Sequence, residues 1–238
     1  MTEAPPIRQR TNRLPRSARR AQLLQVALRV FVEQGYHAAS MDEIAEVAGI
    51  SKPMVYAYLG AKEDLFAACV RREGDRLLAA VVAVVGESEV ADLPPEELLW
   101  RGLRAFFGFV HEHRDGWSVL HRQARGEGGA LPPGTGLRGL RHNVVDVVSR
   151  VFSRAKAVHG SERTAGTEVD LRAFAHALVG AIESLAGWMI EHPDEDPETT
   201  ASRLMNFVWV GFDHLLRGQV WRPHGVPPST TTTAEMGL

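Results

Sequence analysis

Residues 40–62, SMDEIAEVAGISKPMVYAYLGAK, read as two short helices joined by a tight turn. Ser40 followed three residues later by Glu43 is a capping box, in which each side chain can satisfy a free N–H at a helix start. Ile44, Ala45 and Ala48 then mark an apolar face at helical spacing. Gly49 stands where that helix must stop, and Ile50 can tuck into the turn. Ser51 reads as a second N-cap, and Lys52-Pro53 opens the next helix, where a missing N–H costs little. Val55, Leu59 and one of the Tyr56 and Tyr58 rings face inward. Lys52, Met54, Ala57 and the tyrosine hydroxyls are left outside. Such a pair fits either a DNA major groove or the inside of an all-α core, and spacing alone leaves both open.

The flanks narrow the choice. Ala27, Phe31, Gly35 and Tyr36 precede the pair, and Lys62-Glu63-Asp64-Leu65 follows it. With Ser40-Met41, Ile44-Ala45, Ala48-Gly49-Ile50-Ser51, Tyr56 and Tyr58-Leu59, they form an ordered pattern from about Ala21 to Glu73. That pattern resembles the DNA-binding domain of the tetracycline-repressor (TetR) family of transcriptional regulators. Two positions depart from it. Pro53 stands where a glycine or similar small residue is often found, and Leu59 where phenylalanine is usual; the first leaves base preference open.

The resemblance implies an all-α fold, with an N-terminal three-helix helix–turn–helix domain and a C-terminal helical domain for dimerisation and ligand binding. It also implies that Lys52, Pro53 and Met54 meet bases or sit in the groove. Ser40, Ser51, Tyr56, Tyr58 and Lys62 would fix phosphates, which position without specifying, and Met41 and Ala57 belong to the same expected surface. A two-fold dimer would set its recognition helices roughly 34–36 Å apart on an approximately palindromic operator.

Charge is distributed accordingly. Residues 1–60 carry eight Lys/Arg against five Asp/Glu, a net +3, and the rest of the 238-residue chain carries a net −5. Arg8, Arg10, Arg13, Arg16, Arg19 and Arg20 face only Glu3 within the first twenty residues. Clustering of this kind is rewarded by counterion release from DNA. Residues 1–16, with Pro5, Pro6 and Pro15, are expected to be a disordered basic arm, and 221–238 a disordered tail. No uninterrupted apolar run approaches the roughly 20 residues of a membrane span, and no secretory h-region is expected at the N-terminus. The single Cys69, among Leu65, Phe66, Ala68 and Val70, is expected to be a buried structural thiol in a cytoplasmic protein.

Helical patterns continue throughout. One helix is expected over Ser17–Gln34, ended by Gly35, and another from Lys62 to Val85, with Gly86 as a stop. Pro94-Pro95-Glu96-Glu97 is a helix start. A shorter helix follows over Asp115–Arg125, then a loop over 126–136, a helix over Leu137–Val158, and a break over Ser161–Gly166. The last two helices, Glu168–Ile190 and Glu198–Leu216, carry small residues at Gly180, Ser184 and Gly187, and bulky ones at Phe207, Val208 and Phe212, with Gly211 between. They hold more apolar surface than one chain easily buries, so a second copy is expected to complete a four-helix bundle. The expected division is 17–62 for DNA and 63–220 for dimerisation and ligand.

Catalysis finds no support. Gly134-Thr-Gly136-Leu-Arg-Gly139 matches G-x-G-x-x-G without the preceding strand that motif needs. His111-Glu112-His113 places its histidines on different helix faces, so no metal is expected, nor any cofactor. A small, largely apolar effector is the better expectation, since ligand cavities lie between bundle helices with few polar groups. Trp100, Phe106, Phe109, Trp117 and Trp188 are the candidate lining, with His121, His142, Arg125 and Arg141 as candidate polar contacts. Two alternatives remain: a regulator whose C-terminal domain only dimerises and binds no ligand, and a small-molecule-modifying enzyme with an appended DNA-binding domain.

Overall fold

Every element in the computed structural model is an α-helix; it describes residues 15–85, 93–124, 137–160 and 168–219, with Trp221 and His224. The expected N-terminal arm, apart from its last two residues, lies outside these, as do the 126–136 loop, the 161–166 break, Gly86, Arg125 and most of the tail.

Helix α1 (Arg16–Ala38) buries Leu23, Leu24, Ala27, Leu28 and Phe31, and its regular course breaks at Gly35, where φ is 78°. Helices α2 (Met41–Ala48) and α3 (Lys52–Leu59) lie across it, and α4 (Lys62–Val85) closes the unit. Phe31 and Tyr36 each meet Phe66 of α4 at 4.9 Å between ring centroids. Cys69 is fully buried, with its thiol donating to the Leu24 carbonyl at 3.5 Å. Burial pushes that thiol up to about 12, so it stays neutral throughout the physiological range.

Beyond α4 come α5 (Pro95–Glu112), α6 (Arg114–Ala124), α7 (Leu137–His159), α8 (Glu168–Glu191) and α9 (Pro197–Leu216). These extents fall within a few residues of the sequence expectation. The G-x-G-x-x-G match starts outside the described residues, and its last three positions simply open α7. Helix α5 is the centre of this half, packing on α4, α7 and α9 through Leu99, Leu103, Phe106, Phe107 and Val110.

Helix α8 lies mainly along α7, and α9 mainly along α5. Asp170–Glu191 is long and apolar enough overall to cross a membrane by composition, although charged residues interrupt it, and only 33% of its apolar window is buried within the chain. It packs against α7 as a helix of the bundle, and the uncovered remainder is surface that this chain alone leaves open.

One polar cluster ties the two halves together. Glu73 of α4 is completely buried. Its carboxylate accepts from Arg72 Nε at 2.8 Å and from Arg76 Nη1 at 3.2 Å. Arg72 also donates to Gln25 Oε1 and to the Ala21 carbonyl on α1. Arg76 Nη2 lies 2.6 Å from His113 Nε2 in the α5–α6 turn, while His113 Nδ1 lies 3.1 Å from the Phe109 carbonyl. With Nδ1–H donating to Phe109, Nε2 is left to accept from Arg76. Gly116 of α6 makes the room, since a Cβ there would stand 2.6 Å from Glu73 Oε2.

Truncating the buried anion leaves two guanidinium groups uncompensated, so Glu73→Ala should destabilise the chain by roughly 2–4 kcal/mol in urea unfolding. Gly116→Ala should cost about 1–3 kcal/mol through overpacking. Its cost should shrink in the Glu73→Ala background; an unchanged cost would show that Gly116 is confined by something other than the carboxylate.

Candidate DNA-binding surface and effector region

The α2–α3 turn is fixed by its backbone. Ser40 Oγ accepts from the Glu43 N–H at 3.1 Å, the first half of the capping box. The reciprocal half is not made, because the Glu43 carboxylate accepts from the Gln34 side-chain amide instead. Gly49 adopts the left-handed conformation at φ 66°, and Ile50 N–H returns to the Ala45 carbonyl at 3.0 Å. A side chain at Gly49 would be strained, which is why the turn needs glycine. Ser51 occupies the N-cap position of α3 without a side-chain cap hydrogen bond. The Ser51 carbonyl accepts from Met54 and Val55.

Val55 and Leu59 seat α3 in the core, and this leaves Ser51, Lys52, Pro53, Met54, Tyr56 and Ala57 exposed on one side. Val47 of α2, 54% exposed, was not anticipated from the sequence; its place about 100° round the helix from Ala48, at the edge of the apolar face, was the available signal. Tyr58 is half-buried, with the Arg16 guanidinium 5.8 Å from its ring centroid. Lys62 donates to the His37 carbonyl at 3.1 Å and lies 4.8 Å from the Tyr36 ring centroid. Met41 departs from the expectation: its side chain is buried, and it can offer DNA only backbone. Lys52 donates to Asp42 Oδ2 at 2.8 Å, and that hydrogen bond, then the carboxylate's charge, holds the ammonium pKa above its ordinary value.

In the C-terminal half, the expected pocket residues separate into different places. Phe106 and Trp117 meet edge to face at 5.2 Å, Trp117 stacks on His121 at 5.6 Å, and a Cβ at Gly187 would lie 3.2 Å from His121 Nε2. The buried Trp117 Nε1 has no hydrogen-bond acceptor among the described residues. Phe109 instead stacks on His113 at 4.4 Å, beside a cleft of about 220 Å³ lined by Gln25, Glu73, Arg76, His111 and His113, among others. Trp100 lies under the Arg104 guanidinium, and Trp188 stacks on His192 at the end of α8. His142 is exposed, 3.5 Å from Asp146, and Arg141 pairs with Glu183; neither reaches the Trp117 cluster through these contacts.

The expected dimer residues divide similarly. Phe207 is 80% exposed, and Ser184 and Gly211 are exposed beside half-buried Gly180 and Val208. Phe212 is buried against Phe152 at 4.2 Å, so it belongs to this chain's own core. Gly187 faces His121 of the same chain.

Residues 23–69 match the family model for bacterial regulatory proteins of the tetR family, and 95–211 match the tetracyclin repressor-like C-terminal domain. A TetR-like transcriptional regulator from Rhodococcus sp. RHA1 superposes with a TM-score of 0.68 at 36% identity, over 84% of this chain and 98% of that one. The chain belongs to the TetR family. It is a helix–turn–helix transcriptional regulator. The activator FasR of Mycolicibacterium smegmatis is 29% identical over 87% of this chain and 88% of its own. The fold is shared with AibR, solved in complex with isovaleryl coenzyme A and operator DNA, at a TM-score of 0.62 and 20% identity over 80% of this chain and 97% of that one.

A phosphate contact through the Tyr56 hydroxyl predicts that Tyr56→Phe weakens binding about two- to tenfold, the worth of one hydrogen bond, and equally for all duplexes. Fluorescence anisotropy on a panel of oligonucleotides checks this; a loss confined to one base-pair identity would assign Tyr56 to base reading.

Proposed function

We propose that this TetR-family chain is a ligand-relieved repressor that binds an approximately palindromic operator as a homodimer in the cytoplasm. The observation that carries this reading is the pairing of an outward α3 face with an uncovered apolar face on α8 and α9. Phe207, at 80% exposure, and Val210, at 53%, have no reason to face water in a monomer. A second copy related by a two-fold axis covers the same residues on both chains and fixes the spacing of the two recognition helices. Residues 17–62 then serve DNA and 63–220 serve dimerisation and the effector.

The effector is assigned to the region of Phe106, Trp117, His121 and Gly187, where an indole N–H is buried without an acceptor among the described residues. AibR, which shares the fold, binds an acyl thioester of coenzyme A, so short acyl-CoA thioesters are the first class to test. Such a ligand relieves repression only if it binds the DNA-incompetent conformer more tightly. The name of FasR favours a second reading, in which the same architecture activates transcription.

Sedimentation equilibrium at micromolar concentration should give a dimer, with Phe207→Glu a monomer that loses most operator affinity. Sequences selected from a random duplex pool should be inverted repeats, and acyl-CoA addition should raise Tm and release them. A wild-type monomer defeats the dimer; tighter DNA binding with acyl-CoA turns the assignment to activation or co-repression.

A further inference from the structure

Between Ala39 and Ala61, the stretch that holds both helices of the DNA-reading pair, the chain carries Asp42, Glu43 and Glu46 against a single cation, Lys52. The reading unit is therefore acidic, and its one ammonium is occupied. Lys52 Nζ lies 2.8 Å from Asp42 Oδ2, across the turn from the first position of α3 to the first turn of α2. Both partners face solvent, at 45% and 71% side-chain exposure, so nothing but the carboxylate keeps the lysine from other anions. The other two carboxylates are not placed to compete. Glu43 accepts from Gln34, and Glu46 lies one turn further along α2.

From this geometry we infer that Asp42 is a specificity-determining residue, which occupies Lys52 in place of a DNA phosphate and so suppresses sequence-independent binding. The inference rests on the DNA-binding reading of α2 and α3. Nonspecific affinity comes almost wholly from cations that neutralise phosphates and release counterions. A lysine held by an internal carboxylate releases none. Groove contacts by Pro53 and Met54 involve no charge and are untouched. The ratio of specific to nonspecific binding rises, because only its denominator falls. An exposed ion pair is weak enough for a well-matched site to break or reshape it on close approach.

The test measures binding of the intact protein to a mixed-sequence duplex by anisotropy, across a range of salt. Asp42→Asn should steepen the log–log salt slope by about 0.9, the value of one phosphate, and tighten binding roughly tenfold in low salt. A duplex selected from a random pool by the wild-type protein should gain less, so that discrimination falls. In a Lys52→Ala background, Asp42→Asn should do little. An Asp42→Asn protein with wild-type slope and affinity overturns the inference. So does an equal gain in the Lys52→Ala background, which would assign the effect to repulsion by the carboxylate alone. Asp42→Ser repeats the measurement should the asparagine variant melt early, with circular dichroism confirming the fold. If the wild-type protein binds no duplex at all, the DNA-binding reading itself fails, an outcome separate from these.

Discussion

The buried Glu73 carboxylate is the constraint on which the arrangement of this chain depends. A carboxylate taken out of water is costly unless several donors surround it, and here Arg72 and Arg76 do so from its own helix. Neither arginine is spent on Glu73 alone. Arg72 reaches α1 at Ala21 and Gln25, and Arg76 reaches His113 at the start of α6. The attachment of the DNA-reading helices to the rest of the molecule is thus directional. Apolar contacts such as Phe31 on Phe66 tolerate sliding; a carboxylate shared between two guanidinium groups tolerates little, because each bond lost leaves a charge unpaired.

How much of this could be read from the chain divides along the same line. The helix–turn–helix was legible because its signals are local: a cap at Ser40, a left-handed glycine at Gly49, a proline in the first turn of α3. Helix extents in the C-terminal half were legible from periodicity and from the Pro94-Pro95 start. The Glu73 cluster was missed, although a trace of it is present. Leu65, Cys69, Glu73 and Leu77 recur every four residues, which places a carboxylate in line with three fully or nearly fully buried side chains. What the spacing could not supply was the partner set, since Gln25, His113 and Gly116 come from 48, 40 and 43 positions away in ways no local rule encodes.

The expected sites failed where burial depends on tertiary neighbours. Met41 follows a cap on a short amphipathic helix, and its side chain turns inward because α1 lies on that side. Phe212 and Phe207 are five residues apart on α9 and equally apolar, but they lie on different faces of the helix, and Phe212 meets Phe152 of α7 and Phe174 of α8 while Phe207 is exposed. Periodicity names a stripe; it does not say which stripe meets its own chain and which waits for another.

Helix α6 is where these parts meet. Within eleven residues it carries Gly116 against Glu73, Trp117 with an indole N–H that meets no acceptor among the described residues, and His121 against Gly187 of α8. Any ligand that hydrogen-bonds Trp117 or displaces His121 acts on the helix whose missing side chain leaves Glu73 its room. Moving α6 toward α4 presses backbone onto that carboxylate, and moving it away opens the Arg76–His113 contact. Either displacement bears on the Glu73 carboxylate and so on Arg72, which reaches α1 at Ala21 and Gln25.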